Sequence, residues 1–167
     1  RFGLGFKSVL AISDNPVFLC RTGSFEFDKS RSSEVLKGII KKHHPESSDY
    51  DTAFPVLRLA WPVNPDTFFK SDPLLTKFNE WATTIVKLPF SDINSEEVTR
   101  QEQDFYDFRP EFLLFSRHVS VLELEDRKTF LGEMGSRLIR LNPISDDEFE
   151  IEDRQLASTK ITKFRLF

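Results

Sequence analysis

Arg1-Phe2-Gly3-Leu4-Gly5-Phe6-Lys7-Ser8 opens the chain and runs straight into Val9-Leu10-Ala11-Ile12. Two glycines thus stand directly before an apolar pattern of helical spacing. Glycine lets a backbone approach a ligand closely, and the free N–H groups at a helix's first turn, with their positive dipole end, favour anions. The stretch reads as a phosphate-binding loop. Gly3 and Gly5 would allow the close approach, the Gly5 and Phe6 amides would meet the phosphates, and Lys7 would neutralise their charge as a flexible cation. Phe6 also suits an anchor in the core, and Ser8 has no separate role. Two commoner glycine loops do not fit. The Walker pattern needs Gly-Lys-Ser/Thr, but Phe6 separates Gly5 from Lys7; a dinucleotide fingerprint needs a third glycine where Ser8 stands. Because no methionine or strand precedes the loop, the chain is expected to begin inside a motif, and the remaining residues to form the rear half of a nucleotide-binding domain.

Phe2-Gly3-Leu4-Gly5-Phe6-Lys7-Ser8-Val9 resembles the second glycine box of the Bergerat-type ATPases, the superfamily of gyrase, the heat-shock chaperone, sensor histidine kinases and MutL. The Gly-Phe-Lys-Ser form is most similar to the sacsin-type and microrchidia-type members, in which the lysine faces the nucleotide phosphates. Trp81-Ala82-Thr83-Thr84-Ile85-Val86-Lys87-Leu88-Pro89 is similar to the Gly-Thr-x-Ile-x-Leu-Pro strand that closes the family's sheet, with Thr83 on the threonine that reaches the adenine edge. Ala82 departs from the pattern, where glycine is usual. Pro110–Phe115 followed by Val119–Leu124 looks like the helix and strand that come after the ATPase core in sacsin-like proteins, so the resemblance covers roughly residues 1 to 125.

The resemblance implies an α+β chain: the C-terminal part of a Bergerat-type α/β sandwich over residues 1–92, then helices and an antiparallel β-meander over 93–167. It implies ATP as ligand, bound through Gly3, Gly5, Phe6, Lys7 and Thr83, with Mg2+ held by residues outside this chain. In the family an upstream helix carries the glutamate that polarises water and the asparagine that holds magnesium, and an Asp-x-Gly-x-Gly box carries the aspartate that reads adenine. None of these boxes is among the 167 residues. Phosphoryl transfer rests on positioning and on metal-borne charge neutralisation, so this segment alone is expected to be inactive and its parent to be the ATPase. Expected partners are ATP, the missing N-terminal part of the same domain and a protein client, in a chaperone-like or defence-associated role. The alternative is a non-catalytic interaction module of degenerate Bergerat fold, and a third reading leaves the glycines as a turn in an unrelated α+β protein.

Composition narrows the classes further. The net charge is −4 with 23 basic and 27 acidic residues interspersed, which speaks against a general nucleic-acid surface. Cys20 is the single cysteine, so no internal disulfide or cysteine-only metal site can form, and a reducing, cytoplasmic setting is expected. No apolar run reaches the roughly 18 residues of a membrane span, so no membrane partner is expected. Eighteen phenylalanines signal a large apolar interior, or one completed by other sequence. An incomplete sheet with open edges would then favour self-association.

Periodicity supplies the coarse elements. Gly5–Ile12 reads as a helix stopped by Asp14-Asn15-Pro16. Val17–Arg21 and Ser24–Asp28 read as a hairpin around Thr22-Gly23, with Gly23 giving the turn a positive φ. Val35, Leu36, Ile39 and Ile40 recur at helical spacing within Ser32–Lys42. His43-His44 beside acids could bind metal, but neighbouring side chains diverge, and a solvated helix end suits them better. Pro55–Trp61 reads as a strand, Pro62–Asp72 as a loop, and Pro73–Glu80 as a helix with proline in its first turn. Asn94-Ser95-Glu96-Glu97 resembles a capping box opening a helix towards Phe108. Phe105, Phe108, Phe112 and Phe115 then form a stripe expected to face the core. From His118 onward the period is two, through Val119–Leu124, Phe130–Gly132, Leu138–Leu141, Phe149–Ile151 and Ile161–Phe167, which gives the meander. Its alternating Arg and Glu are expected to pair across strands on a wet face.

Overall fold

The computed structural model of the protein describes residues 9, 12–46, 59–92, 96–116, 118–127, 135–155 and 158–166. Mixed helices and two antiparallel four-stranded sheets make the chain α+β. It divides into two compact units, Arg1–Arg100 and Gln101–Phe167, with the division inside helix Glu96–Tyr106.

In the N-terminal unit, β1 (Val17–Cys20) pairs with β2 (Phe25–Glu26) as the expected hairpin, Val17 opposite Glu26 and Phe18 opposite Phe25. β3 (Trp61–Pro62) and β4 (Thr84–Lys87) complete the order β3-β2-β1-β4. Residues 55–58 of the expected third strand lie outside the described residues. Period two splits the sheet's faces: Val17, Leu19 and Ile85 point to one side and join Leu75 in a buried core, with Phe68, Phe69, Phe78 and Ala82 packed around them. Phe18, Phe25 and Phe27 gather on the other, Phe18 stacked on Phe25 at 5.0 Å.

The amphipathic helix runs longer than its apolar pattern, as α1 (Lys29–His43), capped by Asp28 accepting from Arg31 N–H. Its buried line is displaced from the expected one. Ser32 is fully buried, with Leu36 and Ile40 half-buried, whereas Val35 and Ile39 stand 40% and 51% exposed. A single tether explains the shift: the Trp61 indole N–H donates to Ser32 Oγ at 3.0 Å, while the Arg31 guanidinium lies 4.1 Å over the same ring. His43 and His44 close the helix, both exposed, as a solvated end.

Two expectations fail in this unit for local reasons. Gly23 does not take a left-handed φ. Its N–H closes a turn onto the Cys20 carbonyl at 3.3 Å, which puts Gly23 at the fourth turn position, where a positive φ is not required. The Ser24 hydroxyl also accepts from the Cys20 N–H. Pro62–Asp72 is not a loop throughout, because Pro65–Ser71 is a helix, α2. Asn64 caps it by accepting from Asp66 N–H at 3.0 Å, and Pro65 sits at the first position, where its missing donor costs nothing. Asp72 then ends α2 and caps α3 (Pro73–Asn79), accepting from Leu74 N–H at 3.1 Å.

α4 (Glu96–Tyr106), within which the division falls, gives way in the C-terminal unit to a 3-10 helix, Pro110–Phe115. Asn94 and Ser95, expected to cap α4, lie outside the described residues. The meander comes next in sequence order: β5 (Val121–Asp126), β6 (Gly135–Pro143), β7 (Glu148–Gln155) and β8 (Ser158–Arg165). Residues 130–132 of that expectation lie outside the described residues. Leu113, Ile139 and Ile151 form the core, ringed by Phe108, Leu114, Leu122, Leu141 and Phe164. The expected phenylalanine stripe faces it only in part: Phe108 packs against the core, the Phe105 side chain lies outside the described residues, and the other two turn away. Helical period three over 110–115 turns Leu113 inward and leaves Phe112 and Phe115 59% and 79% exposed.

Candidate functional site

The residues singled out for phosphate contact, Gly3, Gly5, Phe6 and Lys7, lie outside the described residues. Val9 is helical, and its carbonyl accepts from Ile12 N–H at 3.1 Å and Ser13 N–H at 2.9 Å. Ser13 is fully buried, and its Oγ has no hydrogen-bond partner among the described residues, an orphan that ordinarily calls for a water or a polar group. Asp14 leaves the turn in an ion pair with Lys29 at 3.0 Å, and the chain enters β1.

Thr83, the adenine candidate, is exposed on a bend just before β4. β4 lies directly against β1 in antiparallel register, Cys20 opposite Thr84 and Val17 opposite Lys87. The two ends of this pair differ. Beyond Lys87 the Ser91 N–H donates to the Ile12 carbonyl at 3.0 Å, which ties that end to the turn at Ile12 and Ser13. Thr83 stands at the opposite end, beside the β1–β2 turn, about 13 Å away for four strand residues. Trp81, in the same segment, is 71% exposed, its ring edge-on to Phe78 at 5.7 Å. Ala82, the departure from the family glycine, is half-buried against the core. At this end the Thr22 hydroxyl, with help from the backbone around Gly23, holds the exposed Cys20 thiol below its ordinary value.

Lys87 reaches Asp72 at 3.0 Å across the core-side face. That hydrogen bond, with the α3 amides behind it, holds the Asp72 carboxyl below the usual range.

A second constellation occupies the C-terminal unit. Arg137 meets Asp153 through a two-pronged contact, Nε to Oδ1 at 2.9 Å and Nη2 to Oδ2 at 2.7 Å, and Nη1 donates to the Phe108 carbonyl at 2.9 Å. Both side chains are largely buried, and the paired carboxylate raises the guanidinium's pKa. They line a cleft of about 150 Å³ with Glu111, Lys160 and Thr162. This pair crosses strands on the covered face, and so stands apart from the outward Arg and Glu that were expected to pair on a wet face. The phase was readable: Arg137 shares parity with Ile139 and Leu141, Asp153 with Ile151 and Phe149. The guanidinium fork is engaged along its length, so the arrangement fastens the chain just ahead of the 3-10 segment to the sheet.

Among the described residues no group of three or more His, Cys, Asp or Glu side chains is placed to share a metal ion. None of their helices is long and apolar enough to cross a membrane. No protein-family model, curated protein or solved structure matches the chain.

Proposed function

We propose that residues 1–92 bind ATP as the phosphate-loop and adenine-edge part of a Bergerat-type nucleotide domain, in a parent protein with a chaperone-like or defence-associated role. The observation that carries the reading is the pairing of β1 with β4. The strand that begins at Val17 and the strand that begins just after Thr83 are immediate neighbours, so the segments downstream of the two motif-like stretches share one sheet. Thr83 and the turn at Ile12 sit at opposite ends of that pair, a separation that suits an extended nucleotide with phosphates at one end and a base at the other. Trp81 adds an open indole face beside Thr83, and stacking of a base on such a face contributes about 1–3 kcal/mol. Gly3 and Gly5 give backbone approach, Lys7 neutralises phosphate charge, and nucleotide would close a lid hinged near the box and so bias a neighbouring domain. No hydrolytic step is assigned to these residues.

Thermal unfolding with and without ATP and magnesium, on the wild type and on Lys7→Ala, tests the reading. Ligand at about one hundred times its dissociation constant stabilises by about 2.7 kcal/mol, a clear shift in melting temperature. The wild type should shift, Lys7→Ala should shift less, and Trp81 emission should change on titration. A well-folded protein that ATP leaves unmoved would reject the site. The non-catalytic interaction module would then be favoured by the exposed Val35 and Ile39 on α1.

A further inference from the structure

The meander ends in two unpaired edges of opposite charge. Among the described residues β5 and β8 each have one strand neighbour, β6 and β7 respectively. Unpaired N–H and C=O groups along an edge are a template for another strand. On the face away from the core, β5 presents Glu123 and Glu125, and β8 presents Lys163 and Arg165, all four exposed. Two like edges would therefore oppose like charges directly, β5 on β5 acid to acid and β8 on β8 base to base, which is destabilising. The unlike edges attract.

We propose that β8 of one copy of this chain pairs with β5 of a second copy, extending the sheet head to tail. The direction is already right. Strands alternate through the meander, so a β5 laid beside β8 runs antiparallel to it with the same face outward. The register that sets Arg165 opposite Glu123 and Lys163 opposite Glu125 also sets Phe164 opposite Leu124 and Leu166 opposite Leu122 on the covered face. Charge and apolar matching thus coincide in one register. Two existing ion pairs must yield, Glu125 with Arg127 and Arg165 with Asp147, but both are exposed and of the kind that contributes little. The contact joins two different surfaces, so it propagates into a ring or a filament and does not stop at a dimer. It involves only the C-terminal unit and is independent of the nucleotide reading.

Sedimentation analysis of the full chain over a wide concentration range, at low and high salt, with circular dichroism to check folding, tests this. The wild type should grow in mass beyond a dimer as concentration rises, and high salt should weaken the growth. Glu123→Lys with Glu125→Lys makes both edges basic, and Lys163→Glu with Arg165→Glu makes both acidic. Each folded variant alone should associate at least about tenfold more weakly, and an equimolar mixture should regain association. A wild type monomeric into the millimolar range, a mass that plateaus at a dimer, or folded variants that associate as well alone as mixed would each overturn the proposal.

Discussion

Asp72 carries two duties in one side chain. It caps α3 through Leu74 N–H and holds Lys87 across the sheet, with both side chains about one-third exposed. Asparagine caps as well as aspartate, so the two duties separate by mutation. Asp72→Asn should cost about 0.5 kcal/mol at neutral pH, the worth of a partly exposed ion pair. Asp72→Ala should cost about 1–2 kcal/mol, since the cap is lost too. The carboxyl's pKa is lowered in the folded state, so its stabilisation is full above the unfolded carboxylate range and disappears as pH falls through the folded value. Urea titrations at neutral pH and again well below pH 3 check this: the gap between wild type and Asp72→Asn should close in acid. A gap that stays constant with pH would mean that the ion pair contributes nothing. Nothing in the sequence marked Asp72 as a bridging residue, because Lys87 is fifteen positions away and only the packing of α2 and α3 against the core around Ile85 brings it near.

At the scale of elements, the 3-10 segment is the sharpest departure from sequence reasoning. Phenylalanines at spacings of three and four announce an α-helical stripe, and that reading needs the helix towards Phe108 and the second helix or kink from Pro110 to keep one α-helical phase. Pro110 breaks it, α4 stops at Tyr106, and the tighter period hands the inward position to Leu113. Leu113→Ala should therefore cost about 2–5 kcal/mol, as for a fully buried leucine. Phe115→Ala should fall within about 0.5 kcal/mol of wild type, despite removing the larger side chain. Chemical denaturation of the two variants decides it, and equal losses would restore the stripe. The hairpin, the meander and the helix after Pro73 were legible because alternation and proline placement are local signals. α2 was missed because two prolines and two aspartates within eleven residues read as loop, although Asn64-Pro65 is also a cap followed by a favoured first helical residue.

At the scale of the whole molecule, the two cores share no residue among those described: Val17, Leu19, Leu75 and Ile85 in one, Leu113, Ile139 and Ile151 in the other. Leu19→Ala should cost about 2–5 kcal/mol as Leu113→Ala does, and the double variant should lose the sum within about 0.5 kcal/mol. A coupling energy well above that, measured by the double-mutant cycle, would show that the units do not stand independently. The candidate nucleotide residues were legible as motifs alone, for Thr83 is in view and the glycine box is outside the described residues. The Arg137–Asp153 pair has one more consequence, for misfolding. Strand pairing has period two, so sliding β7 by a single position against β6 would turn Asp153 to the opposite face and strand the Arg137 guanidinium in the core without its carboxylate. Every odd-numbered slip of β7 against β6 therefore carries the cost of a buried lone charge, and the fastening that holds Phe108 to the sheet also acts as a proofreader of that strand alignment while the chain folds.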